Sequence, residues 1–138
     1  MKQVAILKLG TEYYALDIMQ VNTIKEYELP NRIPHPKSFV KGVINLRGQV
    51  VPILDLREIL GYEENPSNDK RKIIIIENDD ELLGLIIDEV LSISHIEDSQ
   101  IEELDKVSVS DFADIIESVA KFEDKLVAFL SIPKILEK

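Results

Sequence analysis

The chain has 138 residues and a mass of 15.7 kDa, the size of one domain or two very small ones. Apolar residues make up 45% and charged residues 30%, too apolar for disorder and ordinary for a globular fold. Lys plus Arg number 16 against 26 for Asp plus Glu, a net charge of −10. A chain that acidic repels nucleic-acid phosphates and anionic lipid heads, so neither is expected as a primary partner; the only basic run, Lys70-Arg71-Lys72, lies beside Asp69. The absence of Cys excludes disulfides, thiolate catalysis and cysteine metal sites.

Val4–Leu9 and Tyr13–Ile18 are apolar runs around Gly10-Thr11-Glu12 and predict a β-hairpin. No apolar run has signal-peptide form or membrane-span length, so a soluble cytoplasmic protein without direct membrane insertion is expected. Val21–Tyr27 carries Val21, Ile24 and Tyr27 among polar residues and fits a strand or a weak helix. Pro30, Pro34 and Pro36 then force an extended loop. Gly42–Leu46 and Gln49–Leu54 flank Arg47-Gly48, a two-residue turn whose Gly48 is free to take a positive φ. Gly42 and Gly48 are assigned structural turn roles, and Pro52 predicts a sheet edge or a bulge. Asp55 to Gly61 predicts a short helix with Asp55 as N-cap, Glu58 at the reciprocal capping position and Gly61 at the end. Its Leu56, Ile59 and Leu60 form one buried face.

The polar stretch Tyr62–Arg71 predicts a surface connection. Ile73–Ile76, a turn at Asn78-Asp79-Asp80-Glu81 and Leu82–Ile87 predict a second hairpin, followed by Val90, Leu91, Ile93 and Ile96 at mixed spacing. Glu97 to Asp111 is acidic and Ser-rich, a loop or short helix. Ile115–Phe122 and Lys125–Leu130 form another hairpin around Glu123-Asp124, and Ser131–Leu136 closes as a short helix with Pro133 in its first turn.

The two halves are alike. Moved forward by 69 positions, Ile6, Glu12, Leu16, Ile18, Val21 and Ile24 meet the same residue types at Ile75, Glu81, Leu85, Ile87, Val90 and Ile93. Moved by 76, Val43, Val51, Leu54, Ile59 and Leu60 meet Val119, Val127, Leu130, Ile135 and Leu136. Shared strand patterning alone produces apolar matches, but the repeated order of hairpins and terminal helix points to one β unit used twice. The expectation is a single domain over residues 1–138 made of two similar small β-barrels packed together. The halves are about 1–66 and 67–138, and an exchange of strands between them is left open. Each half alone would have a marginal core.

Chemistry is sparse. His35 sits between Pro34 and Pro36, and His95 ends a strand-like run, so both read as structural or solvent-exposed, and no ligand spacing supports a metal. The acidic pairs Glu63-Glu64, Asp79-Asp80 and Glu102-Glu103 fall in turns and loops, where carboxylates lack the unlike environments that acid–base work requires. Asp17 and Asp88 end buried strands and are assigned turn or capping roles. The five Gly are scattered without a phosphate loop. No enzyme and no cofactor is expected; a small hydrolase using the carboxylates is the rival from another class.

One segment is more specific. Gly42-Val43-Ile44-Asn45-Leu46-Arg47-Gly48 followed by Pro52, Asp55, Leu56 and Arg57 strongly resembles the G-V-I-N-L-R-G-x-x-x-P-x-x-D-L-R signature of the CheW family of chemotaxis coupling proteins. Tyr14-Ala15-Leu16-Asp17-Ile18 with Val21 and Ile24 resembles the family's Y-A-x-x-I-x-x-V-x-x-I, and Gly84 to Val90 its G-x-x-x-D-x-V. The resemblance covers essentially the whole chain and implies a stand-alone, mainly all-β protein of two SH3-like five-stranded barrels with short helices. It implies an adaptor without catalysis, which couples the cytoplasmic tip of a chemoreceptor (a methyl-accepting chemotaxis protein) to the regulatory domain of the histidine kinase CheA. It further implies recruitment to membrane-associated receptor arrays. Receptor contact in the family uses a groove between the barrels, matched here by Ala5, Ile18, Val21, Ile24, Val90 and Leu91 with Arg47 at its rim. Thr23 stands where some relatives carry an acidic residue, and Glu26 is the nearest substitute. No kinase-binding residue is assigned. A CheW-like adaptor of another chemosensory system, governing surface motility or development, is the alternative.

Overall fold

The computed structural model describes residues 2–62, 70–103 and 115–137. Their order is β1 (Lys2–Leu9), β2 (Glu12–Asp17), a 3-10 turn (Ile18–Gln20), β3 (Val21–Glu26), β4 (Val40–Leu46), β5 (Gln49–Asp55) and α1 (Leu56–Ile59). Then come β6 (Lys72–Asn78), β7 (Glu81–Ile87), β8 (Glu89–Ile96), a 3-10 turn (Asp98–Gln100), β9 (Ile101–Glu103), β10 (Ile116–Phe122), β11 (Lys125–Leu130) and α2 (Ile132–Leu136). The fold is mainly β with short helices, as expected. Val21–Tyr27 resolves as a strand, because β3 pairs antiparallel with β6 from Val21 to Glu26. Residues 63–69 of the expected connection and 104–111 of the acidic stretch lie outside the described residues, Glu63-Glu64 among them.

The chain divides into two compact units, one of residues 1–19 and 89–138, the other of residues 20–88. The first contains the sheet β8-β1-β2-β11-β10-β9, the second the five-stranded sheet β3-β6-β7-β5-β4. Neither unit is built from one half of the sequence. The opening hairpin β1–β2 joins strands of the second half, and β6–β7 joins strands of the first.

The joins are parallel ladders, Phe129 opposite Ala15 in one unit and Ile53 opposite Gly84 in the other. Parallel neighbours cannot be linked by a tight turn; here they are drawn from sequence-distant hairpins. These two pairs are related by the same shifts of 69 and 76 positions that relate the halves. The bulges repeat as well. Asn22 is the extra residue of β3 against β6, and Leu91 of β8 against β1. Lys41 is the extra residue of β4 against β5, and Glu117 of β10 against β11.

Each unit has its own apolar core. Val4, Ile6, Ala15, Ile96, Val127 and Phe129 form one; Ile44, Val51, Ile53, Ile73, Ile75 and Ile86 form the other. All four residues of Ile73–Ile76 are fully buried, as an interior strand with neighbours on both sides requires. Pro52 departs from the edge position expected of it, although its ladder to β4 does carry a bulge, at Lys41. It lies on β5, which is interior and not an edge; the parallel ladder to β7 begins at Ile53, so Pro52 withholds no donor from it. Both helices are capped as their sequences allow: Asp55 accepts from Arg57 N and Ser131 from Lys134 N.

Gly42 is fixed by close approach of backbone. It has φ +142, and a Cβ there would stand 2.1 Å from the Asn31 carbonyl oxygen. Asn31 and Val43 exchange two backbone hydrogen bonds at 2.8 and 2.9 Å, which staple the Pro-rich segment to β4. Gly48, at φ +83, has nothing within 4 Å of such a Cβ. Gly42→Ala is therefore expected to lower stability in urea by about 1–3 kcal/mol, and Gly48→Ala by about 1 kcal/mol or less. Equal urea midpoints for the two variants would contradict this account of Gly42.

Candidate partner-binding surface

In the unit of residues 20–88, Arg47 and Gly48 are the central residues of the β4–β5 turn, both at positive φ (51 and 83). Such primed turns match the twist of the strands they join. The Asn45 side-chain oxygen accepts from Gly48 N at 2.9 Å and fixes the turn. The exposed Arg47 side chain reaches back to β3, where its Nη2 donates to the Asn22 side-chain oxygen at 3.3 Å. Asn22 is the β3 bulge residue, next to half-buried Val21. The structure thus brings Arg47 to the strand that carries Val21 and Ile24, the latter 38% exposed. Val50, just past the turn, is also exposed. Thr23 is half-buried, and Glu26 is engaged by Lys72 at 2.5 Å across the ladder.

In the other unit, Leu91 is the bulge residue of β8 and 41% exposed, beside half-buried Val90 opposite Leu7. Ile18 opens the 3-10 turn after β2 and is half-buried. Ala5 has no exposed surface and lies between Leu16 and Ile93 in the sheet register. Its methyl is filled by the fold, so it presents no side chain to a partner.

The signature residues around Arg47 are engaged in the fold. Arg57 grips Asp88 through two parallel hydrogen bonds, Nε to Oδ1 at 2.9 Å and Nη2 to Oδ2 at 2.7 Å. Both side chains are largely shielded, and the Asp88 hydrogen bond raises the Arg57 pKa. The Arg57 guanidinium also lies 5.5 Å from the Tyr62 ring centre. Asp88 does stand at the bend between β7 and β8, as expected, and its pairing with Arg57 is an addition that no local signal could reveal, since the partners are 31 residues apart. Asp17 does form a turn, its carboxylate accepting from Met19 N at 3.0 Å. Lys41 pairs with Glu58. Asp55 is buried, and burial raises its pKa against the lowering effect of the Arg57 backbone hydrogen bond.

His35 and His95 are exposed, and the His35 Nδ1 accepts from Lys37 N at 3.1 Å. Among the described residues no group of three or more His, Asp or Glu is placed to hold a metal ion. No helix among them is long and apolar enough to cross a membrane.

The family model described as CheW-like domain matches residues 3–138. The chain belongs to the CheW-like domain family. It is 34% identical to the chemotaxis protein CheW of Bacillus subtilis over 137 residues, 99% of this chain and 87% of that protein. It is 33% identical to Protein PilI of Pseudomonas aeruginosa over 88 residues, 64% of this chain and 49% of that one. The crystal structure of the scaffolding protein TtCheW from Thermoanaerobacter tengcongensis superposes with a TM-score of 0.87 at 31% identity, covering 95% of this chain and 89% of that one.

Two outcomes are expected from this CheW-like corner. A double-mutant cycle of Arg57→Ala and Asp88→Ala should give a coupling energy of about 1–3 kcal/mol in urea unfolding, the value of a shielded, charge-assisted pair; additive effects would remove its structural role. The raised pKa of Asp55 means the folded state holds this proton more tightly than the unfolded chain, whose reference is 3.8. Its contribution to stability is present below that pH and is lost as pH rises through the folded pKa. Asp55→Asn keeps an N-cap acceptor without the charge, so the stability of the natural chain relative to this variant should fall between acid and neutral pH. A constant difference in urea midpoint across that range would contradict it.

Proposed function

We propose that this chain is a chemotaxis adaptor that couples chemoreceptors to the histidine kinase CheA by non-covalent binding, without catalysis, within receptor arrays at the membrane. The observation that carries this reading is the match of nearly the whole chain to proteins named for chemotaxis and to a scaffolding protein. The receptor-facing residues in this reading are Arg47, Val21 and Ile24 in one unit and Ile18, Val90 and Leu91 in the other. A receptor tip is a helix pair with an apolar stripe, and helix recognition uses aliphatic anchors bordered by charge. Ile24 and Leu91 supply exposed aliphatic surface. The Arg47 guanidinium makes one hydrogen bond, to exposed Asn22, and its remaining donors suit a forked contact with a helix carboxylate or carbonyl, which Lys cannot reproduce.

A second reading, a CheW-like adaptor of another chemosensory system, is favoured by the similarity to Protein PilI, a relative not named for chemotaxis. The two are separated by which system's partners bind.

Calorimetric titration with a receptor tip fragment and, separately, with a CheA regulatory domain should release heat with both. Arg47→Glu should keep the fold, weaken receptor-tip binding about tenfold or more, and leave the kinase titration unchanged. Unchanged receptor affinity would remove Arg47 from the contact. Silence with both chemotaxis partners, alongside binding to those of a surface-motility or developmental system, would select the second reading.

A further inference from the structure

The segment that follows β3 builds a surface that contains none of the residues assigned to receptor contact. Pro30, Pro34 and Pro36 restrict its φ angles, and its backbone is tied down at both ends. Tyr27 N donates to Arg71 O at 3.2 Å, Asn31 is stapled to Val43, Val40 N donates to Lys37 O at 3.2 Å, and Asp55 N donates to Phe39 O at 2.8 Å. Beside this fixed segment lies a cavity of about 570 Å³, within the range of clefts that take a ligand. Buried Asp55 and Ile86 line it, together with Tyr27 and Val40.

Arg32, Lys37, Lys41 and Arg71 also line this cavity. Four cations against one buried carboxylate is the reverse of the balance in the whole chain, whose net charge is −10. Arg71 lies 4.3 Å from the Tyr27 ring centre and Lys41 is paired with Glu58, so these two are parts of the wall. Arg32 and Lys37 are exposed and have no ion-pair partner among the described residues. Leu29 and Ile33, also lining the cavity, are 82% and 42% exposed.

We propose that this cavity is a docking site for an acidic peptide segment of a partner protein, one that sets a large apolar side chain between two carboxylates. The apolar side chain covers Leu29 and Ile33 against Tyr27, while the carboxylates meet Arg32 and Lys37. An inorganic anion would satisfy the cations but leave Leu29 and Ile33 in water. A nucleic acid would meet the same cations while being repelled by the acidic remainder of the chain. Because the segment is restricted by its prolines and anchored at both ends by backbone hydrogen bonds, less backbone ordering entropy is lost on binding. The inference does not depend on the receptor contact of Arg47.

The test uses the whole labelled chain at low ionic strength on an array of peptides in which Asp or Glu flanks Leu, Ile, Phe or Ser. The tightest binder is then measured in solution by fluorescence anisotropy. Peptides with both an apolar residue and two carboxylates should bind, and their Ser or Gln counterparts should not. Arg32→Glu combined with Lys37→Glu should weaken binding about tenfold or more, with circular dichroism, urea midpoint and receptor-tip binding unchanged. Arg47→Glu should leave peptide binding as it was, which separates failure here from failure of the receptor reading. No binding by any array peptide, binding indifferent to the double charge reversal, or equal binding of the Ser peptides would each overturn the proposal; the last would reduce the site to a general anion patch.

Discussion

The parallel ladders between β5 and β7 and between β11 and β2 are the constraint on which the rest depends. Each places strands from opposite halves of the chain side by side, so neither sheet is complete until both halves have been made. Halves of this size have little core to spare, and the reciprocal arrangement ties the core of each unit to both. Asn22 and Leu91 absorb one extra residue where a strand meets a partner distant in sequence, and Lys41 and Glu117 absorb one within the hairpins β4–β5 and β10–β11. Bulges also increase local twist, which strongly curved small sheets need.

Most of the sequence signature of this family is used by the fold. Gly42 admits the Asn31 backbone, Asn45 fixes the turn, Gly48 takes its positive φ, Asp55 caps α1 and Arg57 holds Asp88. Ile44 and Leu56 are buried. Arg47 differs, because its side chain stands exposed at the turn and, among the described residues, makes a single hydrogen bond, at 3.3 Å, to another exposed side chain. A long cation displayed on a rigid primed turn is poorly accounted for by folding alone. That asymmetry is the physical ground for proposing Arg47, and not its neighbours, as the contact residue.

What the sequence makes legible is what local physics writes into it. The hairpins follow from apolar runs around short turns, and the helix after β5 follows from a capping carboxylate and three apolar residues on one face. The duplication is legible as well, because the 69- and 76-residue shifts recur in the ladders and bulges. The strand exchange is not, since a β-strand's pattern reports which face is buried and not which strand lies beside it. For the same reason Pro52 reads as an edge or bulge residue while its strand is interior, and nothing local to Asp88 shows that Arg57 holds its carboxylate. The basic cavity is hidden for another reason. Its cations come from the Pro-rich segment, β4 and the residues before β6; only Arg71 belongs to a basic run, and Arg32, Lys37 and Lys41 each stand between neutral neighbours in the sequence.

Comparison of the two units position by position separates framework from display. The framework is kept: extra residues recur at equivalent bulges, an oxygen-bearing N-cap recurs at Asp55 and Ser131, and positive φ recurs at Arg47-Gly48 and Glu123-Asp124. The displayed residues diverge. The turn that presents Arg47-Gly48 in one unit presents Glu123-Asp124 in the other, a reversal of charge on the same backbone conformation. The bulge that presents polar Asn22 in one presents apolar Leu91 in the other. A repeated unit held by one set of constraints, with its exposed turns and bulges altered independently, gives one short chain two chemically different surfaces.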